Sequence, residues 1–151
     1  MTLPVATSLH LSDALERILQ QSEATKTTSQ NYVAQLAAGP VSSDWVFAFI
    51  NRCNLSIVGF NQYKGVPGLN AYAQAQIPGY AGTMTSDIDA VIAGIQACID
   101  WVVANFPKDS TNTWVLAYSI NADGTRNPRN FSTAQTAGLR TNLNALIALI
   151  G

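Results

Sequence analysis

The chain has 151 residues, the size of one ordinary domain, and we expect a single domain over residues 1–151. Apolar residues make up 48% of it and charged residues only 11%, a composition that excludes a disordered chain. Eight basic and nine acidic residues leave no basic field for nucleic acid, and no apolar run is long enough to span a membrane.

The start of the chain and its two cysteines bear on the cellular compartment. Residues 1–6 contain no basic stretch and no apolar core segment, so we expect no secretory signal. Cys53 and Cys98 each lie on or beside an apolar helical stripe and are expected to be buried thiols. A disulfide between them would require an oxidising compartment, which nothing else in the sequence indicates.

The first helical pattern covers residues 12–38, with Ser12 or Asp13 as its N-cap and Gly39 at its end. A polar stretch, residues 22–30, separates its two apolar clusters. The pattern fits one long helix or two helices that meet in that stretch, and we favour one. Since a small core cannot use such a helix over its whole length, we expect the polar middle to face solvent or another chain.

A second helix is predicted from a cap within residues 42–44 (Ser-Ser-Asp) to a C-cap at Gly65, with its apolar residues at helical spacing between positions 46 and 60. A turn-rich stretch follows. Pro-Gly pairs ending at Gly68 and Gly79 are typical of type II turns, and the residues between them, 69–76, are long enough for about two helical turns.

The clearest helix is predicted from a cap at Ser86 to Phe106, before Pro107. Its apolar residues follow helical spacing, and Ile95 and Ile99 lie in the middle of the stripe, where we expect burial. Asp100 falls on the opposite side and is expected to face solvent or another subunit.

The period then changes to that of a strand. Residues 113–120 alternate, residues 121–124 form a hairpin turn signal, and the polar return arm contains Pro128, which is typical of an edge strand. We expect this return arm to lie outside the core and to contact a neighbour. Ser132 and Gln135 then form a capping box before a C-terminal helix. The predicted fold is mainly α: a bundle of four to five helices with one β-hairpin, about residues 113–131, inserted before the last helix.

The sequence contains few groups that could perform catalysis. His10 is the only histidine, so a nucleophile–histidine arrangement would have to use it, and nothing else points to it. Asp87 and Asp89 lie where acidic residues complement a helix dipole. There is no zinc-ligand spacing and no glycine-rich phosphate loop. We therefore expect no enzyme, no cofactor and no metal site.

The surface is unusual for a monomer, because it carries little charge while its loops contain Tyr, Trp and Arg. These residue types are enriched where proteins bind one another. The candidate interface residues are the three tyrosines of the turn region and two arginines of the hairpin: Tyr63, Tyr72, Tyr80, Arg126 and Arg129. We expect a structural protein that forms a homo-oligomer or docks on a larger shell.

The segment FSTAQTAGLR, residues 131–140, and the helix after it, with Leu143, Leu146 and Ile147, resemble the C-terminal ends of small virion proteins of tailed bacteriophages. The low charge and the richness in Ser, Thr, Asn and Ala are similar too. The resemblance implies a structural role in a head, neck or tail. The implied partners are copies of the chain or other virion proteins, without nucleic acid, membrane or small molecule. The implied location is the virion; a chain outside a phage would be cytoplasmic.

An alternative stays open at this point: a helical small-molecule-binding protein or enzyme. Its pocket would lie between the helices at 46–60 and 88–106, under the turn region, with Asp100 or His10 as the polar group. Such a protein should show a deep pocket with converging polar groups. A third hypothesis, an adaptor that binds through arginines of the hairpin and last helix, predicts binding that weakens steeply with salt.

Overall fold

The computed structural model describes residues 7–105, 118–120, 126–128 and 130–151, and side chains for residues 11–42, 44–105 and 131–151. This part of the chain is mainly helical, as predicted. Its helices are α1 (Thr7–Ala38), α2 (Ser43–Lys64), α3 (Leu69–Gln76), α4 (Met84–Asn105) and α5 (Ala137–Ile150). Its short strands are β1 (Val41–Ser42), β2 (Tyr118–Ile120), β3 (Arg126–Pro128) and β4 (Asn130–Phe131).

The four longer helices form an up-down-up-down bundle. Both α1 and α4 pack against α2 and α5, and the short α3 lies against α1 and α4. Contacts near both ends show that α1 and α2 are antiparallel, because Tyr32 meets Trp45 whereas Gln21 abuts Gly59. Helices α4 and α5 are antiparallel for the same reason: the abutting pairs are Gly94 with Leu146 and Gly138 with Trp101.

The core is built from the predicted apolar stripes. In α4 the middle of the stripe is confirmed, with Ile95 only 1% exposed and Ile99 also buried, whereas Val103, which the spacing also placed in the stripe, is 39% exposed. Each of the other long helices adds large buried side chains, namely Ile18 and Leu36 from α1, Phe49 and Phe60 from α2, and Leu139 and Leu143 from α5. Burial of side chains of this size is the main stabilising contribution to such a bundle.

The predicted turns and the cap of α2 are also confirmed. The Ser42 hydroxyl accepts a hydrogen bond from the Trp45 backbone N–H at 3.3 Å. Gly65 is the C-cap of α2. Gly68 and Gly79 have φ values of 80° and 74°, the left-handed conformation that the third position of a type II turn requires.

Helix α1 is a single helix, as favoured, but it begins at Thr7, so Ser12 and Asp13 lie inside it rather than at its cap. The expectation that its polar middle faces solvent or another chain is wrong for Thr25 and Ser29, which are buried in their own chain. They line a crevice of about 20 Å³ together with residues of α2 and α5. Because their hydroxyl side chains are short, α2 and α5 can approach α1 closely at this point. Gln21 donates a hydrogen bond to the Thr25 hydroxyl at 3.3 Å.

Helix α4 begins at Met84, before the predicted cap at Ser86. The reason lies in α3. The side-chain oxygen of Asn70 accepts a hydrogen bond from the Thr85 backbone N–H at 2.9 Å, and its amide nitrogen donates to the Thr85 hydroxyl at 3.1 Å. A residue fifteen positions earlier therefore caps the helix, which no local pattern could indicate.

The hairpin is confirmed in its central part. Strands β2 and β3 pair antiparallel, with Ser119 opposite Asn127, while residues 113–117, 121–125 and Arg129 lie outside the described residues. The expectation that the whole return arm stays outside the core is wrong at its end. There β4 pairs with β1, placing Phe131 opposite Val41, and both side chains are buried.

Candidate functional site

Two surface features of the bundle could bind another molecule. The first, which we call the α1–α4 groove, exists because α5 is shorter than its neighbours. Leu149, almost at the end of α5, abuts Gly94 of α4, so the first turns of α4 extend past α5, as α1 does on the other side. This leaves an open groove of about 330 Å³. Its walls include the apolar side chains of Ile18, Phe60, Met84, Ile88, Val91 and Leu149.

Polar groups enter the α1–α4 groove at a few points. Ser22 of α1, Tyr80 of the loop before α4 and Asp87 of α4 line it. The Tyr80 hydroxyl donates a short hydrogen bond to Oδ2 of Asp87. Burial, together with the hydrogen bond and charge of Asp87, raises the pKa of Tyr80 to about 12, so this phenol stays neutral at physiological pH.

Gly82 leaves room for the tyrosine–aspartate pair. A Cβ at this position would lie 2.7 Å from Oδ2 of Asp87 and 3.1 Å from the hydroxyl oxygen of Tyr80, so only glycine fits without a shift. In the described part of the chain, Asp87 forms no ion pair, whereas its neighbour Asp89 pairs with Lys64 at 2.6 Å. The groove thus contains a positioned carboxylate whose charge is not neutralised.

The second feature is the outward side of α2, which we call the α2 face. Leu55 and Val58, one helical turn apart, are 71% and 63% exposed, more than any other large apolar side chain that the structure describes. Ala48, Asn51 and Gln62 are exposed around them. The fold therefore leaves an apolar patch in water, although α2 packs its opposite side on α1 and α4.

An aromatic cluster lies between α1 and α2. The Tyr32 ring meets Trp45 and Phe49 edge-on at centroid distances of 5.3 Å and 5.0 Å, and Trp45 stacks on Phe49 at 5.3 Å. The Trp45 indole N–H donates to Oε1 of Gln35 at 2.7 Å. Burial raises the pKa of Tyr32, and the nearby positive charge of Arg52 opposes that rise. Tyr32 and Trp45 are only partly buried, so the cluster combines a rigid interior with accessible edges.

The cysteines are free, buried thiols, as predicted. Burial raises the pKa of Cys98 to about 12, and burial with the neighbouring Cys98 raises the pKa of Cys53 to about 12. Because the thiolate is the reactive form, neither group is activated as a nucleophile. Across the described ranges, His, Cys, Asp and Glu nowhere come together as three or more potential metal ligands.

The predicted interface residues do not converge on one site. Tyr63, Tyr72 and Tyr80 are all partly buried against the core. Tyr80 lines the α1–α4 groove, while Tyr63 lines a separate shallow groove between α1 and α2. The side chain of Arg126 and the whole of Arg129 lie outside the described residues.

Of the two polar groups proposed for the alternative pocket, the structure describes the side chain of Asp100 alone. Asp100 is exposed, as predicted for its side of α4, where it accepts a hydrogen bond from Gln96 at 2.9 Å, and it does not line the α1–α4 groove. The side chain of His10 is outside the described residues. The carboxylate that lines the groove is that of Asp87, for which the sequence predicted only a favourable interaction with the helix dipole.

Sequence reasoning missed Leu55 and Val58. A signal for them existed, because both residues fall outside the helical stripe predicted between positions 46 and 60, on the side expected to be polar. Large aliphatic residues on the side opposite the main stripe indicate a helix with two apolar faces.

In the ranges that the structure covers, no helix is both long and apolar enough to cross a membrane. No protein-family model, no curated protein and no solved structure matches the chain.

Proposed function

We propose that this chain is a non-enzymatic structural subunit that assembles with copies of itself through the α2 face. The observation that carries the proposal is the exposure of Leu55 and Val58. Each side chain would contribute about 1.5–3 kcal/mol if an interface removed it fully from water. Neither contributes to the core of its own chain, so an interface is the use that best accounts for them.

The surroundings of the α2 face favour a second copy as its occupant. Ala48, Asn51 and Gln62 around the patch are exposed and neutral, Arg52 one turn before Leu55 is exposed and charged, and the whole chain has a formal net charge of −1. Two identical faces would therefore bring few like charges together.

The side chains of the face are complementary under two-fold symmetry. In an antiparallel pair of α2 helices related by an axis near Cys53, Leu55 faces the partner's Asn51 and Val58 faces the partner's Ala48. Each large side chain thus meets a smaller one, and each contact occurs twice, as in an isologous interface. Such an arrangement closes on itself and gives a dimer rather than a fibre.

We further propose that the subunit belongs to the particle of a tailed bacteriophage, where it contacts copies of itself or other virion proteins. The composition and the segment at 131–140 support this setting through their resemblance to small virion proteins. Mass spectrometry of purified particles tests it: the chain should be present in many copies per particle. Its absence from purified particles would contradict the phage role.

The oligomeric state tests the α2 face directly. We expect light scattering to show a dimer or a larger closed oligomer at about 100 µM, a concentration that would populate a micromolar interface. Leu55→Glu should convert it to a monomer with little change in folding, because the side chain is exposed. Val103→Glu is the matched control, since Val103 is an exposed apolar residue on α4.

Two results would refute the proposed interface. One is a wild-type protein that stays strictly monomeric over the whole concentration range. The other is an oligomer that Leu55→Glu leaves intact, which would show that the α2 face is not buried on assembly.

A further inference from the structure

We infer that the α1–α4 groove binds a small amphiphilic amine, a molecule with an apolar body and a single ammonium group. This inference is independent of the proposed assembly. The groove is lined by the inward side of α2 at Phe60, whereas the α2 face is on the outward side at Leu55 and Val58. It also departs from the sequence-based expectation that the chain binds no small molecule.

The shape of the groove suits such a ligand. Its volume of about 330 Å³ lies in the range of small-molecule sites, which are mostly apolar with a few placed polar groups. The groove lies between α1, α2 and α4 beside the last turn of α5, whose Leu149 and Ile150 form part of its lining. Its walls are apolar because the helix sides that face one another in the bundle are apolar.

The negative charge of Asp87 indicates which class of ligand the groove would bind. Among the described residues that line the groove, Asp87 is the only ionisable carboxylate or cation. Three described cations have partners other than Asp87: Lys64 pairs with Asp89, Lys26 donates to the carbonyl oxygen of Gly151 at 2.7 Å, and Arg17 pairs with Asp13 at 3.6 Å. A negative charge beside an apolar surface favours a ligand that is positive at one end and apolar at the other.

The geometry also indicates how the ligand would lie. The Tyr80 hydroxyl donates its hydrogen bond to Oδ2 of Asp87, so Oδ1 is left to accept a hydrogen bond from an ammonium group. Tyr80 lines the same groove and holds Asp87 through this hydrogen bond. The apolar body would then extend along Ile88, Val91 and Leu149. Since the pKa of Tyr80 is about 12, the phenol remains a hydrogen-bond donor and holds the carboxylate in its orientation.

An NMR titration with tryptamine tests this inference, and indole-3-propionate serves as an anionic ligand of similar shape. We expect tryptamine to shift backbone amide signals of residues 18–22 and 80–91, with a dissociation constant below about 1 mM. Indole-3-propionate should bind at least tenfold more weakly, because its carboxylate would meet that of Asp87. Saturating tryptamine should leave the oligomeric state unchanged, which separates this test from that of the α2 face.

Two variants test whether the carboxylate of Asp87 is the group that binds the ammonium of tryptamine. Asp87→Asn keeps an acceptor for the Tyr80 hydroxyl and so preserves the fold, and it should weaken tryptamine binding about tenfold, as expected for loss of a hydrogen bond between charged groups. Asp89→Asn removes an equal charge two positions along α4, at a residue that does not line the groove, and should change affinity less than twofold.

Three results would overturn the inference. They are no amide shifts with tryptamine up to about 10 mM, well above the affinity expected of a specific site; equal affinity for the two indole compounds; and equal weakening by Asp87→Asn and Asp89→Asn. The last result would show that tryptamine responds to the general field of the protein and not to the groove.

Discussion

Replacing Ile95 with Ala tests the packing of the bundle most directly. Ile95 lies in the middle of α4, is 1% exposed and faces side chains of α2 and α5. The substitution removes three buried carbon atoms, which at about 0.8 kcal/mol each corresponds to about 2.4 kcal/mol of lost transfer free energy. The adjoining crevice of about 20 Å³ would be enlarged, and the cavity brings the expected loss to about 3–4 kcal/mol.

The assay is urea unfolding followed by far-UV circular dichroism, at one fixed protein concentration because assembly would add to the apparent stability. Val103→Ala is the control on the same helix: Val103 is 39% exposed, so its free energy of unfolding should change by no more than about 0.5 kcal/mol. Ile95→Asp should cost more than Ile95→Ala, since it places an unpaired charge in an apolar site. Nearly unchanged melting of Ile95→Asp would show that the α4 stripe is assigned to the wrong side.

Three further predictions concern single groups. Gly138→Ala should lower the free energy of unfolding by about 1–3 kcal/mol, although alanine favours helices, because its methyl group would lie 2.2 Å from Nε1 of Trp101; a higher melting temperature would contradict this packing. Cys53 and Cys98, each with a pKa of about 12, should resist iodoacetamide at pH 8 until urea unfolds the chain; rapid alkylation of the native protein would contradict their burial. Tyr80 has a higher pKa in the folded chain than its ordinary value of 10.0, so its contribution to stability is complete below pH 10 and is lost as pH rises through about 12. Tyr80→Phe should reduce that loss between pH 10 and 12, as measured by urea unfolding at each pH, and an identical pH profile for the two proteins would contradict this role.

Much of the fold could be predicted because the responsible interactions are local. A helical stripe, a side-chain cap such as Ser42 and the type II turn at Gly68 each depend on residues within about four positions along the chain. The burial of Ile95 follows from the same periodicity. For that reason the mainly helical class, the hairpin before the last helix and the free buried thiols were all available from the sequence.

The candidate sites could be predicted only in part, because they depend on how the helices end relative to one another. The α1–α4 groove depends on where α1, α2, α4 and the last turn of α5 lie relative to one another, and this relation exists only after the bundle has formed. The sequence could place Asp87 in the first turn of a helix, but only packing brings the Tyr80 hydroxyl to it. Likewise, Leu55 and Val58 could be recognised as outside the main stripe, but their exposure depends on no other helix covering α2 on that side.

Where sequence and tertiary structure disagree, the cause is a partner far along the chain. Asn70 caps α4 and moves its start to Met84, and β1 pairs with β4 and draws Phe131 into the core. Thr25 and Ser29 are polar, yet close approach of α2 and α5 buries them. The sequence by itself determined which segments are helices and which side of each is apolar, because short-range hydrogen bonds and hydrophobic periodicity decide these. Only the tertiary structure decided which polar groups are buried and which apolar groups stay in water, because contacts between distant segments set both.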